Sequence, residues 1–253
     1  MRSPTGRVRP GAVRRAFLVA ACAALTATVS ACQSTEQESA RIGREGKQPT
    51  GAAAALKLGA ANRSVAVSDV TLLSDSGRSA LAVKLTATSA RPQSRVPILV
   101  TVTGKGGKVL FSNEAGGAEA SLQHIGLLIP HQSAWWVDDQ VLTNQSGGSA
   151  KVRVGTGATP PAGSLPALAT TGVHTSQQAG INVLSGTLVN RSARAQNKVP
   201  VFVVALRGGT VVAAGKAVVG SLAAHRGASA PFQIFLVGNP AGATLQLSAV
   251  PSA

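Results

Sequence analysis

The chain has 253 residues, with 24 Lys and Arg against 9 Asp and Glu and a formal net charge of +15. Apolar residues make up 44% of it, enough to build a conventional core, so a wholly disordered chain is excluded. Only two Trp, five Phe and no Tyr are available to stack on bases, and the cations are scattered instead of gathered in one arm, so no nucleic-acid partner is expected.

The N-terminus has the three parts of an export signal. Arg2, Arg7, Arg9, Arg14 and Arg15 form a basic head without an acid, and residues 16–31 follow without a charge. A membrane-spanning helix needs about 20 mostly apolar residues, and this run is shorter and fades into Thr, Ser and Ala. Val29-Ser30-Ala31-Cys32 closes it. These four residues resemble the lipobox of bacterial lipoproteins, which implies cleavage between Ala31 and Cys32, a diacylglycerol on the Cys32 thiol and residence on the outer face of the cell membrane. That covalent lipid is the one prosthetic group expected. An ordinary secretory signal cut at an A-x-A-like site is the alternative. Arg14-Arg15-Ala16-Phe17-Leu18 resembles the twin-arginine export consensus but carries Val13 and Val19 where other residues are usual, so both export routes fit.

Removing residues 1–31 takes five arginines and no acid, leaving a mature charge of +10. Such a surplus outside the cell points to anionic neighbours, either phospholipid or wall polymer. Cys32 is the one cysteine left, so no disulfide is expected and stability must come from packing. Residues 32–60 are polar, with Glu36, Glu38, Arg41, Arg44, Glu45 and Lys47 and little periodicity, and read as a flexible tether. The Ala, Gly, Val and Arg bias suits a high-GC actinobacterial genome.

From there one unit is written twice. Ser89-Ala90-Arg91-Pro92-Gln93-Ser94-Arg95-Val96-Pro97-Ile98-Leu99-Val100 returns as Ser192-Ala193-Arg194-Ala195-Gln196-Asn197-Lys198-Val199-Pro200-Val201-Phe202-Val203, 103 residues later. Leu81 falls on Leu184 and Leu85 on Leu188. About eight extra residues in the first copy, near 113–121, then move the offset to about 95, pairing Val152 with Leu247. The predicted boundaries are 61–155 for the first repeat, 156–169 for a Pro- and Gly-rich linker, and 170–253 for the second repeat.

Strands are predicted over 79–87, 96–103, 107–112, 134–142 and 149–154, and again over 181–189, 198–206, 210–219, 230–237 and 243–249. Each is rich in Val, Leu, Ile and Thr, and Gly, Pro, Asn and Ser clusters separate them. Short strands at such spacing predict an all-β architecture of two tandem immunoglobulin-like sandwiches. Ser185-Gly186-Thr187-Leu188-Val189-Asn190-Arg191-Ser192, the run from Val201 to Leu206 and Pro231-Phe232-Gln233-Ile234 resemble immunoglobulin-like modules of bacterial surface lipoproteins, of the FxLYD type. The aromatic signature of that type is replaced here by Val204-Ala205-Leu206-Arg207-Gly208. The resemblance implies the fold and no activity.

Chemistry-bearing patterns are sparse. There is no G-x-S-x-G, S-x-x-K, Walker or Rossmann spacing, and an enzyme is not expected. Asp138 and Asp139 are adjacent, and strand alternation sends them to opposite faces. His124, His131, His174 and His225 lack ligand spacing, so no metal site is expected. The added segment near 113–121 brings Glu114 and Glu119 and reads as a longer loop. Trp135-Trp136 is the most distinctive pair: alternation puts one indole in the core and leaves the other at the surface or an interface, where it offers a contact for a glycan or partner protein. The sequence therefore points to a non-enzymatic lipoprotein that binds or scaffolds partners in the envelope. The alternative is a small-ligand or wall-glycan binding module acting through the Trp135-Trp136 region.

Overall fold

The structure, a computed structural model, describes residues 55–115, 119–141, 148–163 and 165–252. It is all-β. The first repeat contains β1 (Val65–Asp75), β2 (Arg78–Ala87), β3 (Gln93–Thr103), β4 (Val109–Ser112), β5 (His124–Leu128), β6 (Ser133–Asp138) and β7 (Ser149–Val154). The second contains β8 (Leu168–Gln178), β9 (Ile181–Asn190), β10 (Gln196–Arg207), β11 (Thr210–Leu222), β12 (Ser229–Phe235), β13 (Val237–Gly238) and β14 (Thr244–Ala249).

Most strands recur in both copies. Strands β1 and β2 fall on β8 and β9 at an offset of 103, β3 falls on β10, and β7 falls on β14 at an offset of 95. Irregularities repeat too: the bulge between Ser68 and Thr71 returns between Thr171 and His174. The two-residue turns Ser76-Gly77 and Ala179-Gly180 have positive φ at both positions, the twist that a tight antiparallel hairpin requires. Strands β1 and β8 were not among the predicted strands. They are edge strands with few buried side chains; a bulge interrupts the alternation of Val65, Val67, Val70 and Leu72 in β1, and β8 is mostly polar from Thr170 to Gln178.

Four antiparallel sheets result. In the first repeat, β3 pairs with β4 and β5 along one edge and with β7 along the other, while β1-β2-β6 form the second sheet. In the second repeat these become β13-β11-β10-β14 and β12-β9-β8. Side-chain alternation shows how the sheets are layered. On β10, Val199, Val201, Val203 and Ala205 enter the second repeat's own core. Phe202 and Val204 point the other way, into the apolar cluster that contains Leu81, Val83, Val100 and Trp136 of the first repeat. Apolar packing therefore runs without a break from one repeat into the next.

Two flanking segments are held against this body. Leu56 is buried and its N–H donates to Glu114 O, while Asn62 N–H donates to Val154 O and Thr156 N–H to Ala60 O. Residues 55–60, expected as the end of the tether, are thus docked on the first repeat. In the linker, Ser94 and Ala158 exchange backbone hydrogen bonds of 2.8 Å, so this part of the connection lies along β3. Backbone groups satisfied by the body leave these segments with fewer accessible conformations than their composition suggests.

The added segment does more than lengthen a loop. In the second repeat β11 runs unbroken along β10, whereas in the first repeat the matching strand is split into β4 and β5. Asn113 fills the gap: its Oδ1 accepts from Val100 N–H at 2.8 Å, and its Nδ2 donates to Ile98 O at 2.9 Å and Leu122 O at 2.7 Å. A buried side-chain amide thereby replaces the lost backbone partners of β3.

Candidate functional site

The junction between the repeats gathers the chemically distinctive side chains. Trp135 and Trp136 lie on β6, where alternation sends their rings apart. Trp136 is fully buried in the first repeat's core, with Nε1–H donating to Ser121 O at 2.8 Å. Trp135 faces the second repeat: its backbone N–H donates to Ser248 Oγ at 2.9 Å and its Nε1–H to Gln246 Oε1 at 2.8 Å. It is 5% exposed, so the open aromatic contact expected here is corrected. The second repeat covers the ring that alternation turned outward. Lys84, paired opposite Trp135, places its ammonium 5.9 Å from the ring centroid.

Close by is a group of ionisable residues. Lys216 on β11 has a side chain 4% exposed, and its Nζ lies 2.8 Å from Glu119 Oε2 and 3.0 Å from Ser121 Oγ. Glu119 and Ser121 come from the segment added to the first repeat, so that segment bridges the two copies. Asp139 Oδ2 accepts from Lys216 N–H at 3.3 Å. Asp138 is buried: Oδ1 accepts from Gln140 N–H at 3.0 Å, and Oδ2 finds no partner. Burial is the main cause that raises the Asp138 carboxyl to about 6, with Asp139 adding to it. Asp139 is also raised, again mainly by burial and against the pull of Lys216. Such a group stores unfavourable charge burial; it does not by itself make a catalytic site.

The histidines are apart from it. His124 is paired opposite Pro97 on β3, and its pKa is lowered by burial and by Arg95. His131 sits in the turn before β6, and His174 and His225 are exposed, with ring nitrogens against Gly172 O and Arg226 O. Among the described residues no three of His, Cys, Asp or Glu converge on a place for a metal ion. A cleft of about 300 Å³ also opens at the junction, between Leu127–Ala134 of the first repeat and Leu168–Thr170 and Leu247–Pro251 of the second.

Arg14, Arg15, Ala31 and Cys32 lie outside the described residues. Among the described residues no helix is long and apolar enough to cross a membrane. Sequence reasoning found the tryptophans but missed Lys216, Gln246, Ser248 and Asn113. The available signal was the contrast between copies: Gln246 and Ser248 stand where the first repeat has Lys151 and Arg153. No family model matches the chain, and no curated protein matches it.

Proposed function

We propose that the chain is a lipoprotein anchored by lipid to the extracytoplasmic face of the cell membrane, whose body is a non-enzymatic scaffold that presents its outer surfaces to envelope partners. The observation that carries the scaffold part is the shared core: Phe202, Val204 and Trp135 join the repeats into a continuous apolar packing. A body with a buried junction holds its faces at fixed separation, as a spacer or platform requires, whereas repeats joined by a linker alone would swing independently. The anchor part rests on Val29-Ser30-Ala31-Cys32 and on Cys32 being the one cysteine after residue 22. Mass analysis of the exported chain tests it. A diacylglycerol on an N-terminal Cys32, with release from membranes in Cys32→Ser, is the expected result. An unmodified Cys32 in membrane-bound protein overturns the anchor.

The junction cleft favours a second reading, a small amphipathic ligand held between the apolar Leu127, Leu168 and Leu247 and the polar Gln132, Ser133, Thr170 and Ser248. Protection of the unfolding midpoint by such a ligand, lost in Leu247→Asp, would select this reading over the scaffold.

A further inference from the structure

Both repeats point the same way, so their loops collect at common ends. Register places the start of β1 beside the end of β2, and the start of β8 beside the end of β9. The cleft lined by Ala134, Thr170 and Pro251 brings these loop ends of the two repeats side by side. At this end the connecting stretches 61–64, 88–92, 129–132, 156–167, 191–195, 223–228 and 250–252 contain no Asp or Glu. They contain Arg63, Arg91, Arg191 and Arg226, all exposed, and Arg95 and Lys198 sit exposed near the starts of β3 and β10. Half-buried Arg194 lies among them. The opposite end mixes signs, with Asp75, Asp138 and Asp139 beside Arg78, Lys105 and Lys108. The second repeat carries six Lys and Arg and no acid at all.

These cations are held in place. Asn190, with no exposed surface, donates from Nδ2 to Arg194 O at 2.8 Å and to Ala223 O at 2.9 Å, and its Oδ1 accepts from Ser192 N–H. Its backbone takes Gly227 N–H and gives its own N–H to Ala228 O, while Arg191 N–H donates to Ala167 O. One buried amide thus ties the Arg191–Arg194 loop to the Arg226 loop. The matching position in the first repeat is Ala87, which cannot do this.

We infer that this carboxylate-free end is a docking surface for anionic phospholipid headgroups. Cations spread across both repeats fit an extended charged plane better than a single small anion. The exposed large apolar residues, Val67, Val70, Val109, Ile181, Val218 and Phe235, all lie on strands and not in these loops, so contact is electrostatic without insertion. The inference deepens the anchored reading and rests on it for the presence of a membrane. From Cys32 to Ala55 the chain reaches up to about 75 Å if extended, so a membrane is within reach of any face, and charge decides which face meets it.

The test uses the chain from residue 32 to residue 253 with Cys32→Ser, which holds both apolar clusters and can carry no lipid. Sedimentation is measured with vesicles of phosphatidylcholine alone or with about one-third phosphatidylglycerol, at low and high salt. Binding to the anionic vesicles alone, weakened by salt, is the expected result. Arg191→Gln with Arg226→Gln lowers it about 30-fold, from about 1 kcal/mol per cation. Lys105→Gln with Lys108→Gln, at the other end, changes it less than about twofold. If the first pair fails to fold, Arg63→Gln with Arg91→Gln replaces it. Absent binding at low salt, salt-insensitive binding, or equal loss from both ends overturns the inference. The fate of Cys32 is read separately by mass, so failure of the anchor and failure of this surface are distinguishable.

Discussion

Strands β3 and β10 are the same strand in two settings. Both send alternate residues into their own sandwich: Val96, Ile98, Val100 and Val102 in one, Val199, Val201, Val203 and Ala205 in the other. The outward residues differ. On β3 they are Leu99, Thr101 and Thr103, half-buried, with Lys151 and Arg153 exposed on the neighbouring strand. On β10 they are Phe202, Val204 and Leu206, with Gln246 and Ser248 beside them, because this face meets the first repeat. The β6 strand and its counterpart β12 show the reciprocal change: Trp135 and Val137 stand where the second repeat has Pro231 and Gln233. An interior face has become apolar, and an end face polar. In a stack of repeats, polar outer faces on the terminal units stop further copies from adding.

Breaking the contrast at its centre should have the largest effect. Val204→Lys buries an unpaired charge and should cost about 5 kcal/mol, whereas Thr101→Lys at the matching open position should stay within about 0.5 kcal/mol. Urea midpoints of the two variants check this, and similar losses would mean that the β10 face is not covered. Trp135→Ala comes next, at about 3–4 kcal/mol, since it empties the junction and strands Gln246. Pro231→Ala, its counterpart on the free face, should cost under about 1 kcal/mol by the same urea unfolding.

A smaller effect isolates Asp138, whose counterpart in the second repeat is the core residue Ile234. Its raised carboxyl pKa means that the folded state holds a proton that the unfolded chain releases near pH 4. Stability should therefore fall as pH rises from about 4 to the folded value of about 6, and stay lower above it. Asp138→Asn should lessen that slope, leaving the part that the raised Asp139 carboxyl contributes, and gain up to about 3 kcal/mol at neutral pH, measured by chemical unfolding across the range. An unchanged slope would assign the pH response elsewhere. The smallest change expected is the double replacement Lys216→Met with Glu119→Leu, within about 1 kcal/mol, because replacing both partners of a buried ion pair by apolar volume is often close to neutral. A loss beyond about 3 kcal/mol would show that Lys216 is also what makes Asp139 tolerable at the junction.

Much of the fold was legible in the residues. The matched Val-Pro openings, turn clusters and apolar alternation carried the duplication and most strands, because these are local signals set by backbone geometry. The edge strands β1 and β8 were not legible, since a bulge interrupts the alternation of each and few of their side chains are buried. The candidate site was harder to read. Alternation showed that one of Trp135 and Trp136 turns outward, but not that it is Trp135, whose cover comes from β14, more than a hundred residues away. The unbroken apolar run from Val201 to Leu206 was the overlooked sign, since only a strand buried on both faces needs every residue apolar.

By itself the sequence determined an all-β chain written twice, with alternating strands and one cysteine placed after a signal-like segment. Alternation fixes which residues share a face, a property of the extended backbone. Only the tertiary structure decided what lies against each face. It stacked the copies through β10 and β6, closed the junction over Trp135, and buried Asp138 without a partner for Oδ2. It also brought the loops of both repeats to one cationic end. These depend on contacts between residues remote in the chain, where pattern carries no information about the partner.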